Sequence, residues 1–142
     1  MKPFKFHTGL AIPLDAINVD TDQILPARFL QKRRLDPDYD TYLFHDLRYD
    51  ENGRENTEFL LNNPLYKNAT IIVGNSNFGG GSSREAAVFA LDAFGIRSVI
   101  APNFGDIFYN NCLKNGILPV VLNKRKTDRL RALLHKNPGS SL

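Results

Sequence analysis

The chain has 142 residues, of which 42% are hydrophobic and 23% charged, the usage of an ordinary globular domain with room for one sizeable core. Its net charge of +3 is mild: the basic clusters Lys32-Arg33-Arg34 and Lys124-Arg125-Lys126, with Arg129, Arg131 and Lys136 following, lack interleaved aromatics and match no nucleic-acid module. They read as a solvated loop and a solvated helix face, and the positive balance suits an anionic small substrate.

The single cysteine, Cys112, excludes an intramolecular disulfide and any metal or cluster site built from several cysteines of this chain. No apolar run reaches signal-peptide or transmembrane character, so the expected location is the cytoplasm.

One domain is expected over residues 1–142, with two textures. Residues 1–69 are irregular, interrupted by Pro3, Pro13, Pro26, Pro37 and Pro64. Short strands or turns are expected near 5–14 and 24–30. The polar stretch 36–58, DPDYDTYLFHDLRYDENGRENTE, reads as a long surface excursion.

From residue 70 the pattern becomes regular. TIIVG (70–74) is a short β-branched run and predicts a buried strand. SREAAVFALDAFG predicts a helix with Ala87, Val88, Leu91 and Phe94 inward and Gly95 as its stop. SVIA (98–101) predicts a second strand. NFGDIFYNNCLKNG predicts a helix with Phe104, Ile107, Phe108 and Cys112 on one side and Gly116 at its end. ILPVVL (117–122) predicts a third strand, at an edge or bulge because of Pro119. Thr127 then reads as the cap of a last helix with Leu130, Leu133 and Leu134 inward. The order βαβαβα over 70–136 points to an α/β fold with parallel strands covered by helices.

Between the first of these strands and the helix after it runs GNSNFGGGSSREAA (74–87). It is neither a Walker A loop nor a G-x-G-x-x-G fingerprint. Ser82 and Glu85 fit a capping box, so the loop can be read as a turn and a cap. The other reading is an anion site. Strand-to-helix loops place unpaired N–H groups and a positive dipole end at the carboxyl edge of a sheet. Arg84 stands in the first turn, where a cation opposes the dipole unless it meets an anion. Arginine binds a carboxylate with two prongs, so a carboxylate flanked by hydroxyls fits this loop. His7, His45 and His135 are scattered and without ligand spacing, Cys112 sits on an apolar helix face, and Asp20 and Asp22 also fit turn roles. Asp106, Asn110 and Asn111 suit the helix surface as well as they suit a site.

NVDTDQILPARFL (18–30), NFGGGSSREAAVFAL (77–91) and APNFGDIFYNNCLKNGILPVVL (101–122) together resemble the small subunits of 3-isopropylmalate dehydratase, the swivelling domain of the aconitase superfamily. The resemblance covers most of residues 8–122. It implies a swivelling β/β/α domain around a parallel βαβαβα core. It implies a large-subunit partner holding a four-iron–four-sulfur cluster whose iron acts on the leaving hydroxyl, with no cofactor in this chain. It also implies isomerisation of 2-isopropylmalate to 3-isopropylmalate through an alkene, in leucine biosynthesis. Carried over residue by residue, Ser82 matches the catalytic base and Arg84 the residue for a substrate carboxylate. Ser83 and Gly81 add substrate contacts, Asp22 matches the acid of the DTD motif, and Arg28 a basic residue facing substrate.

Three departures stand out. Ala86 occupies the place of a histidine, Gly80 that of a Cys or Glu, and the chain stops at NPGSSL (137–142) where longer relatives continue into further strands. Residues 31–50 follow Arg28 and are the natural place for substrate specificity, so a homoaconitase, citraconate or dimethylmalate type of hydro-lyase remains an alternative. A stand-alone anion-binding module is the alternative from a different class.

Overall fold

A computed structural model describes residues 4–82 and 84–142. Among them the elements run β1 (Ala11–Pro13), α1 (Thr21–Ile24), α2 (Tyr39–Tyr42), α3 (His45–Arg48), β2 (Ile71–Val73), α4 (Glu85–Phe94), β3 (Ser98–Ala101), α5 (Asp106–Lys114), β4 (Leu118–Val121) and α6 (Lys124–Lys136). Short 3₁₀ turns cover Ala27–Phe29, Leu60–Asn62 and Pro64–Tyr66. No helix among the described residues is long and apolar enough to cross a membrane.

The four strands form one parallel sheet in the order β1-β2-β3-β4. Ala11 pairs with Ile71, Ile71 with Ser98, and Ser98 with Leu118. Alternation along the strands assigns the two faces. Ile12, Ile72 and Val99 point into the main core with Ala87, Val88, Ala90 and Leu91 of α4 and Phe108 and Cys112 of α5. Ala11, Ile71 and Val73 point the other way and are covered by Leu134 of α6, with Leu130 and Ile100 at the margin. The expected parallel core from residue 70 onward is thus present, with β1 added to it as an edge strand. β4 is the opposite edge, which accommodates Pro119.

Several expectations fail for identifiable reasons. Residues 36–58 are a surface excursion only in part: 50–58 are exposed, but Tyr39, Tyr42, Leu43 and Phe44 are buried in the main core. Tyr39 and Tyr42 share one face of α2, and Leu43 and Phe44 follow in the turn into α3, all masked in the sequence by the polar residues around them. Arg48, also buried, donates to the carbonyl oxygens of Asp40 and Leu43 and to Asn62 Oδ1. Within 24–30, where a strand or a turn is expected, residues 27–29 form a 3₁₀ turn.

Thr127 does not cap the last helix. Asn123 does, accepting from Lys126 N at 2.9 Å, while Thr127 is buried in the second turn. Ile107 and Leu133 are about half exposed rather than inward. Arg131, read as part of a solvated face, is buried.

The loops leaving β2 and β3 meet backbone to backbone. Phe78 N donates to Asn103 O at 3.1 Å, and Gly105 N to Phe78 O at 3.0 Å. A Cβ on Gly105 would lie 2.5 Å from Gly79 O and 3.0 Å from Gly80 Cα. Gly105 has φ −61°, which any residue adopts, so only this close approach demands glycine. Gly105→Ala is therefore expected to lower stability by about 1–3 kcal/mol through overpacking, read from urea unfolding. An unchanged midpoint and slope would show that the two loops are not in firm contact.

Cys112 is fully buried, and desolvation pushes its thiol up to about 12. Thiol reagents at neutral pH should leave the native chain unlabelled and modify one group per chain in denaturant. Rapid labelling under native conditions would contradict the packing of α5.

Candidate functional site

The glycine-rich loop lies at the carboxyl end of β2, where α/β sheets place ligands. It is held from both sides. Toward β3 it rests on Asn103 and Gly105, as above; Asn77 N also donates to Asn103 Oδ1 at 2.5 Å. Toward β1 it is stitched to residues 18–21. Asn18 N donates to Ser76 O at 2.9 Å, Gly79 N to Val19 O at 2.6 Å, and Thr21 N to Gly80 O at 3.0 Å. Thr21 Oγ1 then donates to Ser82 O at 2.8 Å. Asn18 and Asn77 both adopt left-handed backbone, which asparagine tolerates, and their side chains bond each other at 3.2 Å.

Gly79 shows why glycine is needed within the loop. Its φ is +77°, and an added Cβ would fall 2.2 Å from the Phe108 ring. The loop is therefore pressed onto the first turns of α5, with Phe78 buried between Phe104 and Phe108.

The capping-box reading of Ser82 and Glu85 is not what forms. The N-cap position of α4 is Arg84, with φ −125° and ψ 97° and no side-chain cap bond, so Ser82 lies two residues before the N-cap. Glu85 turns instead to Asn115 Nδ2 at 3.0 Å and Lys114 Nζ at 3.5 Å. The Asn115 bond, aided by Lys114, holds its carboxyl below the usual range. Ser82 is exposed, and its side chain is not engaged in capping.

Arg84 reaches back across the loop to Asp22, Nη1 to Oδ1 at 2.6 Å. The same oxygen accepts from Ala27 N at 3.2 Å, which ties Asp22 to the 3₁₀ turn carrying Arg28. Asp20 caps α1, accepting from Gln23 N at 2.8 Å, and so aims Asp22 outward. Arg84 is four-fifths buried and Asp22 mostly exposed, so the pair sits at the mouth of the loop rather than inside the core.

The structure thus pairs Arg84 with Asp22 beyond the carboxyl end of β2, and sets Gly81 and Ser82 of the same loop against Asp20 and Thr21 next to Asp22. Ser83 lies outside the described residues. Arg28 stands apart from the others: both its terminal nitrogens bond the carboxylate of Asp46, and its guanidinium lies 4.6 Å from the Phe29 ring centre. That pairing lowers the Asp46 carboxyl and raises Arg28, with Asp22 adding to the latter through its charge. Arg34, from the 31–50 stretch, lies 4.1 Å over Phe89 and pairs with Asp92 at 3.4 Å, so that stretch is anchored to α4.

Sequence reasoning overlooked Thr21, Asn18 and Asn103, which hold the loop without doing chemistry. Their only signal was their place beside the motif residues in the blocks 18–30 and 101–122. Among the described residues no group of three or more His, Cys, Asp or Glu could hold a metal ion. The buried, protonated thiol of Cys112 is no ligand either. The donor set among the described residues does not fit an iron–sulfur cluster.

Residues 1–125 match the family of the aconitase C-terminal domain. The chain is 49% identical over 142 residues to the 3-isopropylmalate dehydratase small subunit of Koribacter versatilis, covering all of this chain and 72% of that one. It is 54% identical over 130 residues to the protein of that name from Parvibaculum lavamentivorans, covering 92% of this chain and 64% of that one. It is 47% identical to that of Brevibacillus brevis, covering all of this chain and 73% of that one. A crystal structure titled 3-isopropylmalate dehydratase from Methanocaldococcus jannaschii superposes with a TM-score of 0.63 at 34% identity, covering 84% of this chain and 64% of that one. The chain therefore spans 64% to 73% of the lengths of these relatives. With the G-S-S-R-E loop set at the carboxyl end of the second strand and identity sustained along the chain, this protein belongs to the 3-isopropylmalate dehydratase small-subunit family, within the aconitase C-terminal domain family.

Proposed function

We propose that this chain is the small-subunit component of a cytoplasmic hydro-lyase that interconverts 2-isopropylmalate and 3-isopropylmalate in leucine biosynthesis. The observation that carries the reading is identity of 47% to 54% with proteins named for that reaction. In this reading the cluster the reaction uses sits on a large-subunit partner.

The residues of this chain have work that suits the reaction. Dehydration removes a proton from the carbon next to a carboxylate and expels hydroxide from the neighbouring carbon; rehydration returns water with the positions exchanged. A dicarboxylate brought to the loop meets Arg84, whose fork matches a carboxylate. Asp22 holds one prong of that fork, so the incoming carboxylate takes over a contact already made to a carboxylate. Ser82 is the proton acceptor in this reading. A hydroxyl needs help to ionise, and two sources lie close: the positive end of α4, ten residues long, and the Arg84 guanidinium. Gly81 keeps the backbone low beside it, with φ +89° and only Asp20 and Thr21 at the edge of contact. Ser83 and Arg28 complete the proposed substrate contacts, with Arg28 reaching substrate only by leaving Asp46.

The test is co-production with a cluster-bearing large subunit and assay of isopropylmalate dehydration. Activity with citraconate, homoaconitate or dimethylmalate in place of isopropylmalate would move the substrate assignment; tight diacid binding by the lone chain with no activity in the complex would point to an anion-binding module.

Because Ser82 lies outside α4, Ser82→Ala should leave the melting temperature within about a degree, well short of the shift from losing a cap worth about 0.5–2 kcal/mol. Turnover of the reconstituted enzyme should fall by orders of magnitude. Normal turnover in a folded Ser82→Ala complex would move the base elsewhere.

Arg84→Lys keeps the charge and loses the fork. Its catalytic efficiency should fall on the order of ten-fold or more, the size of a lost charged hydrogen bond. Wild-type efficiency in that variant would make Arg84 a structural partner of Asp22 alone.

A further inference from the structure

α6 runs from Lys124, almost wholly past the family match over residues 1–125, and nothing assigned so far uses it. It nevertheless carries the most deeply engaged cation near the site. Arg131 is 5% exposed. Its Nη1 donates to Gly74 O at 2.6 Å, its Nε to Asp15 Oδ1 at 3.1 Å, and its Nη2 to Asp128 Oδ1.

The acceptors explain the significance. Gly74 is the first residue after β2 and the root of the glycine-rich loop. Asp15 is the second residue after β1 and the root of the segment carrying Asn18, Thr21 and Asp22. The two roots are already side by side, with Leu14 N donating to Val73 O at 2.9 Å and Asn75 Nδ2 to Asp15 O at 2.9 Å. Gly74 N is also fixed, donating to Ile100 O at 2.7 Å. On the α6 side, His135 Nε2 meets Asp15 Oδ2 at 2.6 Å, and Lys124 pairs with Asp128 at 3.1 Å.

Holding α6 against the sheet does not require any of this. Leu130 and Leu134 already pack on Ala11, Ile71 and Val73, and an apolar residue can replace a buried ion pair without loss of stability. A planar fork that bonds a carboxylate and a backbone carbonyl at once does something else: it sets the spacing and height of two chain segments. We infer that Arg131 is a positioning residue for the site, joining the roots of the Gly74–Arg84 loop and the Asp15–Asp22 segment so that Ser82, Arg84 and Asp22 stand in register. Its catalytic consequence rests on the dehydratase reading; its structural consequence does not.

The experiment therefore has two readouts. The first is amide hydrogen exchange of the full chain, comparing wild type with Arg131→Lys, Arg131→Met and Asp15→Ala. Amides of residues 75–82 should exchange on the order of ten-fold faster in Arg131→Met, less so in Arg131→Lys and Asp15→Ala, while those of β3 keep their protection. The second is kcat and KM of the complex with the large subunit, measured well below the melting temperature. There kcat should fall about ten- to hundred-fold in Arg131→Met, with partial retention in Arg131→Lys.

A folded Arg131→Met with wild-type loop exchange and wild-type kcat, whatever its melting temperature, would overturn the inference. Should Arg131→Met not fold, unchanged loop exchange in both Arg131→Lys and Asp15→Ala would overturn it equally. An inactive wild-type complex would count against the dehydratase reading alone, since the exchange readout still decides the role of Arg131.

Discussion

Everything at the candidate site depends on a short run of backbone hydrogen bonds between residues 18–21 and residues 76–80. Two of them, Gly79 N to Val19 O and Thr21 N to Gly80 O, work as a fragment of parallel ladder beyond the sheet proper. They bring Asp22 to Arg84 across 62 positions of sequence. They also explain the glycines: the loop is pinned between the DTD segment and α5, and at Gly79 a side chain would enter Phe108. Side chains come second in this arrangement, because the chain path they decorate is set by main-chain contacts.

Charge on and beside the loop is arranged in arginine–carboxylate pairs. Arg84 faces Asp22, Arg28 faces Asp46, and the Asp22 charge reaches Arg28 as well. An arginine held by an internal carboxylate is kept extended and oriented, at less conformational cost than one left to solvent. The dipole of α4 points the same way, toward negative charge at its first turn, where Glu85 already stands.

Much of this was legible in the residues. The strands at 71–73, 98–101 and 118–121 and the helices between them follow from β-branched runs, apolar periodicity and Gly95 as a stop. Ser82, Arg84 and Asp22 come from motif blocks, and the structure gathers them at one place. What escaped did so for local reasons. The run Tyr39, Tyr42, Leu43 and Phe44 is diluted by Asp36, Asp38 and Asp40, so average polarity concealed a core segment. The Ser82–Glu85 spacing satisfied a capping rule, but Asn115 and Lys114 offered Glu85 better partners from α5. Asn123, two residues after β4 ends, outcompeted Thr127 as a cap because it precedes the first turn with its side chain free to accept. Arg131 looked solvated because nothing in its neighbourhood of sequence announces Gly74 or Asp15 as partners.

The position of β1 has a kinetic side. β2, β3 and β4 are joined by single helices, so their pairings close short stretches of chain. β1 pairs with β2 across residues 14–70, a far longer closure. Loop-closure entropy favours local pairings first, and distant ones are made once they have a surface to join. The glycine-rich loop therefore exists as a connection between β2 and α4 before its partner segment arrives, and it gains its second wall only when β1 docks. On this ordering, the half of the protein with the more recognisable pattern assembles early, and the site is closed by the half whose pattern is hardest to read.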